Sequence, residues 1–346
     1  MKTRVTDLLG CKYPILQGAM AGLGDWRFAA AVANAGAHGT ITGSVSRTPE
    51  RLREDIKRCR QATDGSFGVN LSFGLCPRIG EMLEICIEER VPVETAMYKP
   101  DSLARRIKDS GVRWLHKSAR VKDAVHAEHL GADAIIIVGL EGTGFKSPEQ
   151  LPILVALQMA VRQIKAPLVG AGGISDGRGL AAILGAGAEA AMMGTAFMLT
   201  KESPLKSSIK EQILRTSPDD PRLLRRVLGS VDPRAYAEIQ AMRDKVPLEE
   251  WLRMLESVNL KDDQPLQQRP PSDSVVQDGK GPSSDPTRMV SLALAGIDHI
   301  PTVKELIDNI VSGAGTAASR LSLIIGDGVD GSSAGHGVLT PKDRDQ

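Results

Sequence analysis

From the start of the chain to about residue 200, short apolar runs alternate with longer amphipathic stretches, and this beat constrains the fold more than any other feature. The apolar runs are Pro14–Gln17, Ala37–Ile41, Phe67–Leu71, Pro92–Ala96, Trp114–Lys117, Ala134–Val138, Pro167–Gly170 and Glu189–Met193. Between them the pattern predicts helices at Trp26–Ala35, Pro49–Ala62, Ile79–Glu89, Asp101–Ser110, Val121–His129, Pro148–Ile164 and Gly177–Leu184. Short apolar strands that alternate with helices specify a parallel sheet covered by those helices. An open doubly wound sheet and a closed barrel both fit. Eight regular units in this length favour an α/β fold of the (β/α)8 TIM-barrel type, followed by a smaller helical second domain. In a barrel, ligands meet the loops that follow the strand C-termini. Chemistry is therefore expected in Gly18–Gly24, Asn70–Pro77, Lys117–Ser118, Gly139–Pro148, Ala171–Asp176 and Gly194–Thr195.

Beyond Thr200 the character changes. Residues 1–203 and 291–325 are assigned to the barrel with its closing helix, over Val303–Leu321, and residues 204–290 to a helical lid. Within the lid, Leu205–Thr216 and Leu248–Val258 read as amphipathic helices and Pro221–Arg226 as a basic turn. Asp262–Thr287, rich in Pro, Ser, Asp and Gln, has almost nothing to bury and reads as an exposed linker. The Gly-, Ser- and Asp-rich stretch 326–346 is expected to be disordered.

Charge excludes several functions. Lys and Arg number 43 against 42 Asp and Glu, so nothing draws the chain to nucleic acid or to an anionic membrane. No run approaches the length of a membrane span, and Met1–Gly10 carries Lys2, Arg4 and Asp7 instead of an apolar segment, which leads to the expectation of a cytoplasmic protein. Cys11, Cys59, Cys76 and Cys86 lack zinc-type spacing and read as reduced, mostly buried thiols. His126 and His129 could share a helix face, but no third ligand is evident and no metal is expected.

Glycine 35 times in a chain with 3% aromatic residues marks many special backbone positions. In Leu168–Asp176 a glycine pair, Gly172 and Gly173, follows Ala171 where a strand passes to a helix, and Gly194-Thr195 ends the eighth strand. Free amides at such loops can hold a phosphate, and the seventh and eighth strand loops form the usual phosphate site of a barrel. Tight turns and nothing more would also explain either glycine group alone. A cofactor anchored there extends over the mouth toward Ala19, Met20, Asn70 and Lys117, residue types that suit a flavin. Singly, Asn70 also reads as a satisfied buried amide and Lys117 as a rim side chain with its stem buried.

The motifs PILQGAM (Pro14–Met20), FAAAVANAGA (Phe28–Ala37), GVNL (Gly68–Leu71), His116–Ile135 and AGGISDGRGLAAILGAGAEAAMMGTAFMLTKES (Ala171–Ser203) resemble the nitronate monooxygenase family and the related FMN-dependent enoyl reductases. The resemblance implies a TIM barrel with non-covalent FMN held by Ala19, Met20, Asn70, Lys117, Gly144, Ala171, Gly172, Gly173, Gly194 and Thr195. It implies oxidation of nitronates by oxygen, or, with NADH or NADPH as reductant, reduction of an activated alkene or a quinone. One departure stands out. The family turn G-x-E-x-G-G-H is here Gly139-Leu140-Glu141-Gly142-Thr143-Gly144-Phe145, followed by Lys146, so Phe145 stands at the family's catalytic histidine. Phenylalanine moves no proton. Glu141 and Lys146 are the candidates to act in its place, with Phe145 facing the substrate, while His116 is expected to point away from the mouth because Lys117 points into it. A small or medium apolar substrate and a homodimer complete the expectation. The competing classes are a non-redox or flavin-binding barrel lacking the family base, and an interaction protein that works through Asp262–Thr287.

Overall fold

The computed structural model describes residues 1–326 apart from 74, 77, 97–99, 145, 230–231, 244, 248–249, 252–253 and 255–289. Eight parallel strands form one sheet: β1 (Ile15–Gln17), β2 (Gly39–Thr42), β3 (Phe67–Ser72), β4 (Val93–Ala96), β5 (Trp114–Ser118), β6 (Ala134–Val138), β7 (Leu168–Ala171) and β8 (Ala190–Met193). The sheet order runs β1, β8, β7 and so on down to β2, so β1 and β2 are its two ends. They meet through a parallel bridge between Leu16 and His38. Gln17 extends this seam: its Oε1 accepts from the Thr40 N–H at 3.0 Å, and its carbonyl accepts from Thr40 Oγ1 at 2.7 Å. A side-chain amide thus stands in for a missing ladder bond and closes the barrel.

Burial separates two shells. The inner shell is an apolar cluster that includes Leu16, Leu115, Ile136, Val138, Val169 and Met192. Val5 and Leu9 of a helix α1 (Arg4–Leu9) join it and plug the barrel floor. Sequence periodicity does not reveal α1, which spans under two turns; a reciprocal capping box between Thr3 and Thr6 holds it. The outer shell packs the other strand face against α2 (Trp26–Asn34), α3 (Gly43–Ser46), α4 (Pro49–Ala62), α5 (Ile79–Glu88), α6 (Asp101–Ser110), α7 (Val121–His129), α8 (Ile153–Ala160) and α9 (Gly177–Gly185). The alternation predicts these helices except α3, a four-residue turn too short to show a period, and with one notable difference in extent. Pro148–Ile164 is helical only from Ile153, because Pro152 confines the residue before it to extended backbone.

After β8 come α10 (Thr195–Met198), α11 (Ser207–Leu214), α12 (Pro221–Leu228) and α13 (Pro233–Ala241). The expected basic turn at Pro221 is the helix α12, started by Asp220, whose side chain accepts from the Arg222 N–H. The expected helix Leu248–Val258 falls mostly outside the described residues. The expected linker Asp262–Thr287 and nearly all of the expected tail lie outside them altogether. From Val290 the chain leads into a 3-10 turn over Leu292–Gly296 and then α14 (Val303–Ile325). Gly177 lets α14 cross α9 closely: a Cβ there would lie 2.3 Å from the Ala314 nitrogen and 2.5 Å from the Ile310 oxygen.

Candidate active site

Strand C-termini, the loop after β6 and the returning segment 290–296 enclose a cavity of about 240 Å³. Ala19, Met20, Lys117, Gly144, Ala171, Gly172, Gly173, Gly194 and Thr195 all stand on its wall, as the loop positions predict. Their backbone conformations explain why glycine recurs there. Gly172 and Gly173 take φ of +101° and +70°, the left-handed region. A Cβ on Gly172 would lie 3.0 Å from the Gly142 nitrogen, so the loops after β6 and β7 touch only because neither carries a side chain at this point. Gly194 serves a different need. Its Cβ direction meets no atom within 4 Å, so hydrogen is what keeps this side of the cavity free.

Thr195, 4% exposed, places its Oγ1 2.9 Å from Ser291 Oγ and accepts from the Ser291 N–H at 3.0 Å. Two hydroxyls from distant parts of the sequence therefore flank the amides of Gly194 and Thr195. Thr143 Oγ1 donates to the Val290 carbonyl at 2.7 Å, and the Leu292 N–H donates to the Glu141 carbonyl at 3.1 Å. These bonds pin the returning segment across the mouth. Thr143 lies in the expected loop Gly139–Pro148, whereas Ser291 and Ala293 are wall residues outside every loop the sequence points to. Ser291 has one local sign, a serine before the apolar run LALAG, where its side chain caps the 3-10 turn.

Three expected site residues stand elsewhere. Asn70 is 1% exposed inside the barrel, below the wall; its Nδ2 donates to Glu94 Oε1 at 3.0 Å and its Oδ1 accepts from Ser72 Oγ at 2.8 Å. Glu141 does not reach the cavity either, because both carboxylate oxygens accept from the Ile153 N–H at 3.1 and 3.2 Å and cap the start of α8. Lys146 is buried with its ammonium donating to the carbonyls of Leu140 at 2.6 Å and Val227 at 2.9 Å, which ties the loop to the last turn of α12. Neither side chain can serve as acid or base at the wall while so engaged. Phe145 lies outside the described residues. The Met20 N–H, placed after β1 as expected, donates to Thr42 Oγ1 at 3.1 Å.

Histidine chemistry is absent from the described wall. His116 faces the helix layer, as strand alternation predicts, with Nδ1 2.7 Å from Thr95 Oγ1, and burial pushes its pKa down to about 3. His38 sits in the barrel interior with Nδ1 2.7 Å from Ser66 Oγ, and burial lowers its pKa to about 4. Cys76 is a packed thiol that burial pushes up to about 12. Among the described residues Lys117 is the one titratable side chain on the cavity wall. No group of His, Cys, Asp and Glu among them could hold a metal ion, and no helix among them is long and apolar enough to cross a membrane.

The nitronate monooxygenase family profile matches residues 2–90 and 78–313. A "(3aS,4S,5R,7aS)-5-hydroxy-7a-methyl-1-oxo-octahydro-1H-indene-4-carboxyl-CoA dehydrogenase" of Rhodococcus jostii is 34% identical over 230 residues, 66% of this chain and 64% of the relative. The chain thus matches a little under two thirds of that relative's length. A probable nitronate monooxygenase of Staphylococcus aureus is 29% identical over 63% of this chain and 74% of its own. Among solved structures, FabK from Thermotoga maritima superimposes with a TM-score of 0.73 at 33% identity over 94% of this chain and 99% of that one. Nitroalkane oxidase from Streptomyces ansochromogenes, at 23% identity and a TM-score of 0.69, shares the fold over 92% of this chain and 100% of its own. The profile spans both the Gly172-Gly173 and Gly194-Thr195 loops and the segment that returns over them, and the chain belongs to the nitronate monooxygenase family.

Proposed function

We propose that this protein is an FMN-dependent oxidoreductase that oxidises an anionic, nitronate-type carbanion of a small or medium apolar molecule, with oxygen as the final acceptor. The observation that carries this reading is the composition of the cavity wall. Backbone amides at Gly172, Gly173, Gly194 and Thr195, with the hydroxyls of Thr195 and Ser291, fit a phosphate, and the space in front of Gly194 is what such a group requires. Lys117, from β5, supplies positive charge on the same wall, with β6 between its strand and β7 in the sheet order. When bound, FMN would supply the two-electron redox chemistry that no side chain here can perform.

The remaining functions fall to the chain itself. Met20, Leu23, Ile174 and Met198 give the cavity an apolar lining that sheds water and favours an organic substrate. Lys117 attracts an anion and holds it by charge. Because the described wall offers neither carboxylate nor imidazole, a substrate that arrives already deprotonated suits it better than a neutral one whose C–H proton must be removed. Flavin dependence and oxidoreductase chemistry accord with the family; FMN and the direction of electron flow are the proposal.

A second reading rests on the relatives. The 34% identical protein is a carboxyl-CoA dehydrogenase, and the structure with 33% identity is a FabK, which supports NAD(P)H-dependent reduction of an activated alkene such as an enoyl thioester, or of a quinone. Anaerobic absorbance during separate additions of NADH, NADPH and propane-2-nitronate to the FMN-loaded protein separates the two. Bleaching by the nitronate alone is the expected result. Bleaching by a nicotinamide selects the reductase reading, and a protein that takes up no FMN refutes both.

A further inference from the structure

The interiors of TIM barrels are ordinarily filled with branched apolar side chains. Here the filling is lopsided. Strands β1 and β5–β8 contribute Leu16, Leu115, Ile136, Val169 and Met192, whereas β2, β3 and β4 contribute Thr40, Asn70 and Glu94, joined by His38 from the residue before β2. Glu94 is the costliest of these, an acid 6% exposed in the middle of the barrel. Asn70 donates to its Oε1 from β3, and Ser72 donates to Asn70 in turn. Across β5, Glu94 is level with Leu115, so Lys117 stands on the same inward face one pleat nearer the cavity.

Below Glu94 lies a small void of about 10 Å³ whose polar lining is His38, Thr40 and Glu94, with Leu16, Gly68 and Leu115 around them. That is about the volume one water needs, and the three polar groups are the partners it needs. His38 continues the column downward: its Nδ1 contacts Ser66 Oγ, a half-buried hydroxyl that donates to the Leu9 carbonyl at the barrel floor. A polar column therefore runs from the floor, through His38 and Glu94, to Lys117 under the cavity.

We propose that Glu94 is the charge-compensating residue of the site, taking up one proton from solvent through the His38 column when an anion forms or binds over Lys117. The step balances simply. Glu94 carboxylate plus one proton becomes Glu94 carboxylic acid, and the Glu94–Lys117 pair passes from net zero to net +1 as one negative charge appears above it. Geometry supports the direction, since the charged groups that face Glu94 from the neighbouring strands are Lys117 and, across the void, the neutral-leaning imidazole of His38. Burial also holds the Glu94 carboxyl above its ordinary range, with Lys117 and Asn70 opposing. Glu94 touches neither substrate nor cofactor by this account and is a positioning and proton-holding residue.

The inference rests on the FMN reading above, and its test keeps the two apart. Infrared difference spectra are recorded between oxidised and electrochemically reduced FMN-loaded protein. Wild type should gain the carbonyl band of a protonated carboxylic acid on reduction, shifted in D2O and lost in Glu94→Gln, which keeps an oxygen for Asn70 and so preserves the fold. His38→Leu should give the same band with slower growth. A protein that binds FMN but shows no carboxylic band, or the same band in Glu94→Gln, overturns the inference alone. Unchanged band growth in His38→Leu overturns the path, and failure to retain FMN overturns both readings together.

Discussion

Replacing Gly194 with alanine tests the cofactor cradle in isolation from the fold. Gly194 has φ −104° and ψ −68°, backbone open to any L-residue, and an added Cβ meets no atom within 4 Å. The apoprotein should therefore keep its stability to within about 0.5 kcal/mol. Gly194 lines the cavity, so the same methyl would occupy the space in which, on the proposed reading, a phosphate oxygen accepts from the Gly194 and Thr195 amides. Hydrogen bonds to a charged acceptor are worth roughly 1.5–3 kcal/mol each. Loss of one raises the FMN Kd by roughly 10- to 150-fold. Quenching of FMN fluorescence measures the affinity, and urea denaturation of the apoprotein measures the stability. Unchanged FMN affinity would refute the placement of the phosphate at this loop. An equal loss of apoprotein stability would refute the claim that the space in front of Gly194 is kept for a ligand.

Three further outcomes are expected. Gly177→Ala should destabilise the protein by about 3 kcal/mol or more, because its Cβ would meet backbone of α14 that cannot yield, and a melting temperature equal to wild type would contradict that packing. Acid should weaken the fold before ordinary carboxylates titrate. His38 and His116 have native pKa values lowered by burial to about 4 and 3, below the unfolded value near 6.5, so the stability from keeping them neutral is present above that value and declines as pH falls toward the native ones. Between pH 6.5 and 5 this is worth on the order of 1.5 kcal/mol per imidazole; Glu94, raised by burial, acts in the opposite sense at lower pH. A flat urea midpoint over that interval would count against it. Phe145→His should add oxidation of neutral nitroalkanes, since it restores a base where the family turn has one, and unaltered oxygen consumption with nitroethane would show that the missing base is not what limits the site.

Much of this molecule is legible in the chain because the deciding forces are local and periodic. Apolar runs such as Ala134–Val138 between amphipathic helices leave few arrangements other than a parallel sheet wrapped in helices, and the glycine pair Gly172-Gly173 marks where backbone must pass close to the neighbouring loop. The loops that line the cavity, and the outward direction of His116, follow from strand alternation alone. Tertiary structure decided what periodicity does not encode. Whether a polar side chain at the mouth is free or engaged depends on partners far away in sequence. Glu141 is taken by the Ile153 amide, Lys146 by carbonyls of Leu140 and Val227, and Asn70 by Glu94. Ser291 meets Thr195 across 96 positions of chain, a contact no local signal announces. Glu94 reads in the sequence as an ordinary polar residue of a strand, and only closure of the barrel buries its carboxyl beneath Lys117, where removal from water makes its proton a matter of function.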